Sequence, residues 1–138
     1  MSAWPRFFKV PPIIYVGGKR PWKLTDECVY LSDVTGIRES PYEGVIRVPA
    51  GYQTDLASVP RIPGIYWRVG NKAVLAAIVH DWLYEYGEYI TRKDADDAFL
   101  EAMIDTEDPP WPTTRWAMYT AVRLFANGAW KRYRKHVK

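Results

Sequence analysis

The contrast between the two halves of the chain most constrains its fold. The first 63 residues are rich in proline, glycine and β-branched residues, which favour short strands and turns over helices. Residues 71–135 carry apolar residues at helical spacing and end in a basic tail. We therefore expect an α+β fold, in which a small, irregular antiparallel β region in the N-terminal half packs on two or three C-terminal helices.

The length of the chain, residues 1–138, favours a single domain with one core. Three short segments have the composition of strands: residues 11–16, 22–32 and 44–48. Residues 51–63 are expected to form a compact, ordered loop, because Pro60 and Pro63 prevent a long helix. Cys28 is the sole cysteine, so an internal disulfide is excluded and packing must stabilise the fold.

Basic residues are concentrated at the end of the chain. Five of the 19 fall in the last eight positions: Lys131, Arg132, Arg134, Lys135 and Lys138. Without them, 14 basic residues face 16 acidic ones, a net charge of −2. The body of the protein therefore lacks the charge of a nucleic-acid binder. The tail is a candidate for binding nucleic acid or an acidic membrane surface, or is simply the solvated end of a helix.

Targeting and membrane segments are not expected. The first residues, Met-Ser-Ala-Trp-Pro-Arg-Phe-Phe, contain no apolar run of the length that a signal peptide needs. The longest apolar stretch, residues 73–79, is too short to span a bilayer. We expect a protein made in the cytoplasm, which leaves it by assembly or lysis.

The first long helix is predicted from Asn71, as N-cap, to Tyr86, where Gly87 ends it. One of its faces follows the spacing i, i+3, i+4, i+7: Val74, Ala77, Ile78 and Asp81. An acid therefore continues an apolar stripe, and a buried carboxylate requires a partner. His80 directly precedes that acid.

A second helix is predicted to begin after Thr91, with Asp94 three residues on in a capping-box arrangement. Its apolar face is regular: Ala95, Ala98, Phe99, Ala102 and Met103. On this helical wheel Asp97 points to solvent, whereas Asp94 and Asp96 lie at the two borders of the apolar face.

These two helices are expected to pack antiparallel, because the connection of residues 87–91 is short. His80 and Asp96 then lie about 10 and about 7 Å from the connection, within one turn of each other. We expect Nδ1 of His80 to contact Asp96 or Asp94. An imidazole oriented by a carboxylate can activate water.

A third helix is predicted after Pro112, and the Pro-rich connector of residues 108–112 precedes it. Its predicted core stripe has five members: Met118, Ala121, Val122, Phe125 and Ala129. The pair Asn127-Gly128 is expected to break or bend this helix before the basic tail.

Two segments carry a resemblance to a known family. They are Thr54-Asp55-Leu56-Ala57-Ser58-Val59-Pro60-Arg61, and His80-Asp81-Trp82-Leu83-Tyr84 with the later Ala95-Asp96. Together they resemble domain-of-unknown-function family 1353, a family of phage and prophage proteins. The resemblance covers roughly residues 44–130 and includes further positions: Arg92, Phe99, Met103, Met118, Tyr119 and Arg123. It implies a phage or prophage origin and carries no activity by itself.

The pattern His-Asp-x-x-Tyr followed by Ala-Asp is also similar to the active site of secretory and parvovirus phospholipases A2. This similarity implies that His80 takes a proton from water, Asp96 holds the imidazole, Asp81 binds calcium and Tyr84 braces a carboxylate. The chain departs from those enzymes before His80. Residues 64–70 have glycine only at their ends, whereas those enzymes bind calcium with a glycine-rich loop.

Structural readings of the same residues remain open. A histidine beside an acid on a helix can be a core residue with a satisfied partner. Acids in a first helical turn are stabilised by the helix dipole without any further function. A nucleophilic triad of Ser58, His80 and Asp55 lacks the nucleophile-elbow pattern, and Cys28 has no supporting signature. The candidate site therefore consists of His80 and Asp96, with Asp81 for calcium and with Tyr84, Asp94 and Asp55 in support.

Two functions follow from these patterns. In the first, the chain is a virion protein, associated with the phage tail, that carries the His–Asp site and contacts other phage structural proteins. In the alternative, it is a phage-encoded, phospholipase-like hydrolase that acts on a lipid ester or another envelope bond, with calcium as the one cofactor considered. Both functions imply synthesis in the host cytoplasm, and the first implies incorporation into the virion.

Overall fold

A computed structural model describes residues 7–56, 74–104 and 112–134 of the chain. Residues 7–56 form six strands and one helical turn: β1 Phe7–Lys9, β2 Ile13–Tyr15, β3 Trp22–Leu24, β4 Cys28–Leu31, α1 Thr35–Arg38, β5 Val45–Val48 and β6 Gln53–Thr54. The two later described ranges contain four helices: α2 Val74–Tyr86, α3 Arg92–Ile104, α4 Pro112–Phe125 and α5 Asn127–Tyr133. This is the α+β fold that the sequence predicted.

The strands form two antiparallel sheets of three strands each, in the orders β1–β4–β5 and β2–β3–β6. The predicted single strand over residues 22–32 is wrong. Residues 25–27 interrupt it, with the Asp26 carboxylate accepting a hydrogen bond from the Glu27 amide at 2.7 Å, and the two pieces join different sheets. Strands β1 and β6 were not predicted, because two or three residues are too few to show an alternation.

Helix α2 is the central helix of the described residues. Ten of its thirteen residues are buried, and it packs against α3, α5 and β5. It ends at Tyr86 as predicted, where the Gly87 amide donates to the Leu83 carbonyl at 2.9 Å. The predicted N-cap Asn71 lies outside the described residues, as does the part of the predicted loop after Leu56. No helix among the described residues is long and apolar enough to cross a membrane.

Helix α3 begins with the predicted capping box. The Thr91 amide donates to Asp94 Oδ2 at 3.0 Å, and the Asp94 amide donates to Thr91 Oγ1 at 3.1 Å. All five residues of the predicted apolar face are buried: Ala95, Ala98, Phe99, Ala102 and Met103. Asp97, predicted to face solvent, is only partly exposed, because α4 packs nearby and the Tyr119 hydroxyl donates to its carboxylate at 2.5 Å.

Helix α4 starts at Pro112, slightly earlier than the predicted start after this residue. Four residues of its predicted stripe are buried: Met118, Ala121, Val122 and Ala129. Phe125 contradicts the prediction with 72% exposure. Arg92, the first residue of α3, contacts the carbonyls of Val122 and Arg123. Phe125 therefore lies beyond the N-terminal end of α3. The helix is interrupted at Ala126, one residue before the predicted break. Residues 105–111, which include most of the predicted connector, are not described.

Candidate functional site

Asp96 is the centre of a buried hydrogen-bond network between α2, α3 and α4. Its Oδ1 lies 2.7 Å from Nε2 of His80 and accepts a hydrogen bond from the Tyr84 hydroxyl at 2.6 Å. Its Oδ2 accepts a hydrogen bond from Arg123 at 2.7 Å and lies 3.5 Å from a guanidinium nitrogen of Arg92. His80 and Asp96 are both fully buried. We refer to these five residues as the dyad network.

Helical spacing positions most of this network. His80 and Tyr84 are four residues apart on α2, so both reach α3 from one face, and their ring centroids are 4.3 Å apart. Arg92 and Asp96 are likewise four residues apart on α3. Arg92 also donates to the carbonyls of Val122 and Arg123, and thereby ties the start of α3 to α4.

The environment keeps the histidine neutral and the aspartate ionised. Burial lowers the pKa of His80 below its ordinary value; pairing with Asp96 opposes this effect, and the nearby Arg92 charge adds to it. Burial alone raises the pKa of Asp96, but hydrogen bonds from His80, Tyr84 and Arg123 outweigh it and hold that pKa below its ordinary value. The pair at neutral pH is therefore a neutral imidazole and a carboxylate.

The contact between His80 and Asp96 is made through Nε2, whereas we expected Nδ1. Nε2 is the ring nitrogen farther from the backbone, so it is the one that spans the space between two helices. An ionised carboxylate can only accept, so Nε2 of His80 carries the proton that it donates to Asp96. The lone pair of the neutral ring is then on Nδ1.

A second polar cluster lies where α2 meets the β region. Asp81 is fully buried and accepts a hydrogen bond from the Thr54 hydroxyl of β6. Glu85, one turn later, accepts two hydrogen bonds from Arg20, at 2.9 and 3.1 Å, and one from the Tyr52 hydroxyl at 3.2 Å. We refer to these five residues as the acidic network. Burial and the negative charges of Asp81 and Glu85 raise the pKa of Tyr52.

The chain after β6 is held tightly against this network. The Leu56 amide donates to Thr54 Oγ1 at 3.0 Å, and Leu56 has a φ of 59°, an unusual value for a bulky residue. Asp55 accepts a hydrogen bond from the Tyr133 hydroxyl of α5 at 2.7 Å. Thr54 and Asp55, the first two residues of the octapeptide Thr54-Asp55-Leu56-Ala57-Ser58-Val59-Pro60-Arg61, thus anchor β6 to α2 and α5.

The structure separates the other candidate residues from the dyad network. Asp94, the alternative partner of His80, instead caps α3, as described above. Cys28 is buried in β4, where burial raises its pKa to about 12 and suppresses the reactive thiolate. Ser58 lies outside the described residues.

The described part of the chain contains no cluster of acidic side chains that could bind calcium. Within residues 7–56, 74–104 and 112–134, no three His, Cys, Asp or Glu side chains lie close enough to hold a metal ion together. Asp81, the expected ligand, uses one carboxylate oxygen to accept the Thr54 hydrogen bond.

Sequence reasoning named Arg92 and Arg123 only as positions of the family resemblance, gave them no role in the site, and missed most of the acidic network. Arg92 stands four residues before Asp96, a spacing at which ion pairs form on helices, so one signal was present. Arg123 lies 27 residues from Asp96 and gave no local signal. Arg20 lies 65 residues from Glu85, which is also beyond any local pattern.

Comparison with known proteins places the chain in a family. No curated protein and no solved structure matches it. The model of a family described as "protein of unknown function (DUF1353)" matches residues 22–122, which is more than half of the chain and includes His80, Asp81 and Asp96. The family resemblance seen in the sequence is thereby confirmed, and the chain belongs to the DUF1353 family.

Proposed function

We propose that the chain is a hydrolase in which His80, held by Asp96, activates water to cleave a lipid ester or another bond of the cell envelope. The observation that carries this proposal is the hydrogen bond between His80 Nε2 and the carboxylate of Asp96, at 2.7 Å in a fully buried setting. A histidine oriented by a carboxylate is the usual arrangement for a general base.

Each member of the network has a defined part in this reaction. Nδ1 of His80 takes a proton from water while the oxygen of that water adds to the carbonyl carbon of the ester. The tetrahedral oxyanion then expels the alcohol, which receives the proton from His80. Asp96 fixes the tautomer and stabilises the imidazolium that forms. Tyr84 and Arg123 hold the carboxylate in place.

Full burial of His80 and Asp96 also fits a network that only joins three helices. The test must therefore separate activity from stability. Fatty-acid release from phospholipid vesicles and hydrolysis of a soluble fluorogenic ester are measured for the wild type and for His80→Gln, at a temperature where circular dichroism shows both folded. We expect His80→Gln to lower the rate about 100-fold or more.

Two matched controls accompany this assay. His136→Gln changes the other histidine of the chain, and Asp97→Asn changes the neighbour of Asp96; both keep the wild-type rate. Equal rates for wild type and folded His80→Gln would refute the mechanism. Parallel reactions with calcium and with a chelator determine whether the rate depends on that ion.

A second candidate function is a structural part in a phage virion, associated with the tail, with other phage proteins as partners. It is favoured by exposed apolar side chains in, between and directly after the edge strands β1 and β2: Phe8, Val10, Ile14, Tyr15 and Val16. Edge strands with exposed apolar residues are prone to pair with another chain. In this view the protein is made in the host cytoplasm and then packaged.

The two functions are compatible and have separate tests. Mass spectrometry of purified virions detects the chain if it is a virion component. Phe8→Ser together with Tyr15→Ser then reduces its incorporation, while the His80→Gln protein is packaged normally. A monomer that is absent from purified virions contradicts the structural function and leaves the hydrolase proposal standing.

A further inference from the structure

The C-terminal helices have an unusual charge. No Asp or Glu follows Asp108, whereas seven Lys and Arg residues do: Arg115, Arg123, Lys131, Arg132, Arg134, Lys135 and Lys138. Helices α4 and α5, which cover residues 112–133, lie in this acid-free segment. Any surface that they present to solvent is therefore free of acidic side chains of their own.

Arg123 and Arg134 make contacts within the protein. Arg123 donates to Asp96, and Arg134 donates to the carbonyls of Leu83 and Tyr84 at the end of α2 while lying over the Trp130 ring. Arg134 therefore caps α2 and is not part of the outward-facing charge. Lys131 and Arg132 are exposed on α5, and the Arg132 guanidinium also lies 5.4 Å from the centre of the Tyr133 ring.

Two large apolar residues stand next to these cations. Leu124 and Phe125 end α4 with 66% and 72% of their surface exposed. The backbone continues almost helically through Ala126, whose amide donates to Val122 and whose carbonyl accepts from Trp130. Lys131 and Arg132 are therefore each seven residues, two helical turns or about 10 Å, beyond Leu124 and Phe125 on the same side of the helix.

We propose that Leu124, Phe125, Lys131 and Arg132 form a docking surface for an anionic lipid bilayer. Leu124 and Phe125 enter the headgroup layer, and the two cations bind lipid phosphates. Exposed large apolar residues beside Lys and Arg are typical of helices that lie in a membrane interface. Nucleic acid complements the charge but offers no apolar layer for Leu124. This surface goes beyond the proposed hydrolase and does not depend on catalysis.

Binding to vesicles tests this proposal directly. The full chain is sedimented with vesicles of phosphatidylcholine alone and with vesicles that also contain phosphatidylglycerol. We expect tighter binding to the anionic vesicles, and weaker binding as salt is raised. Each cation near an anionic surface contributes about fivefold in affinity, so Lys131→Gln with Arg132→Gln should lower the affinity about 25-fold. Leu124→Ser with Phe125→Ser lowers it about tenfold.

A matched control changes the same kinds of residue elsewhere. Tyr15→Ser with Lys19→Gln alters one exposed apolar and one exposed basic residue on the β region and keeps wild-type binding. Four results would overturn the proposal. Two concern lipid: no preference for anionic vesicles, or unchanged binding in either α4–α5 variant. The third is DNA binding that Lys131→Gln with Arg132→Gln abolishes and Leu124→Ser with Phe125→Ser leaves intact, and the fourth is a wild-type oligomer that Leu124→Ser with Phe125→Ser converts to monomer.

Discussion

Helix α2 carries two polar networks that differ in what they join. His80 and Asp81 are neighbours in the chain, yet His80 faces α3 and α4 in the dyad network, while Asp81 faces β6 in the acidic network. The dyad network links helices to each other. The acidic network links the central helix to the β region through Thr54, Tyr52 and Arg20.

The networks also differ in how their charges are neutralised. Asp96 is fully buried and accepts hydrogen bonds from a histidine, a tyrosine and an arginine. Glu85 depends on Arg20, which is 42% exposed and therefore partly solvated. Breaking a fully buried charged network costs far more than breaking a solvated ion pair. We therefore expect the dyad network to contribute more to stability than the acidic network.

The largest effect is expected for Asp96→Ala. This change leaves His80, Tyr84 and Arg123 without their common acceptor, and the free energy of unfolding should fall by about 3–5 kcal/mol. Urea denaturation measures it. Asp97→Ala, whose side chain is partly exposed, serves as control and costs about 1 kcal/mol or less. Similar losses in the two variants would remove Asp96 from the centre of the network.

A smaller loss is expected for Asp81→Asn. The new amide oxygen can still accept the Thr54 hydrogen bond, so the free energy of unfolding should fall by about 1–2 kcal/mol. The same denaturation experiment gives the value. If this variant is less stable than Asp96→Ala, the ranking of the two networks is reversed.

The stability should also depend on pH through His80. Its pKa in the folded protein lies below the ordinary value of 6.5, so the unfolded chain binds more protons just below pH 6.5. The contribution is therefore fully present above pH 6.5 and is lost as pH falls, by about 1 kcal/mol over the first pH unit. Unfolding curves measured across this range should show the loss in wild type, and His80→Gln should reduce it. An equal loss in His80→Gln would assign the effect to another group.

The smallest effect is expected for Arg20→Ala. Glu85 is only 7% exposed in the pair, but removal of the 42%-exposed Arg20 side chain opens its carboxylate to water. The loss of stability should therefore be about 1 kcal/mol or less and should shrink at high salt. Glu85→Ala costs more, because it also removes the acceptor of the Tyr52 hydroxyl. An Arg20→Ala loss as large as that of Asp96→Ala would contradict the contrast between buried and solvated charge.

The part of the dyad network that the sequence predicted is the part made by local spacing. The register of α2 and α3 across a short connection placed His80 beside Asp96, and the Thr91–Asp94 capping box defined where α3 begins. The nitrogen of His80 was assigned incorrectly, because helix register sets which residues meet and not which ring atom makes the contact.

The unpredicted features depend on contacts between distant segments. Arg123 reaches Asp96 only because α4 packs on α3, and residues 105–111 between them gave no orientation signal. The split of the 22–32 strand depends on which partner each half finds, Ile13–Tyr15 or Val45–Val48, and composition does not encode that choice. Phe125 has the spacing of a core residue, but it lies beyond the N-terminal end of α3 and is exposed.

The central claim, that His80 is a neutral base whose Nε2 proton is held by Asp96, is tested most directly by NMR. Long-range ¹H–¹⁵N correlation spectra of ¹⁵N-labelled protein at pH 7 report the protonation of each ring nitrogen, and His136→Gln assigns the signals of the two histidines. The account predicts a protonated Nε2 and an unprotonated Nδ1 for His80, with Asp96→Ala disturbing this pattern. A doubly protonated ring, or a proton on Nδ1 instead of Nε2, would contradict it.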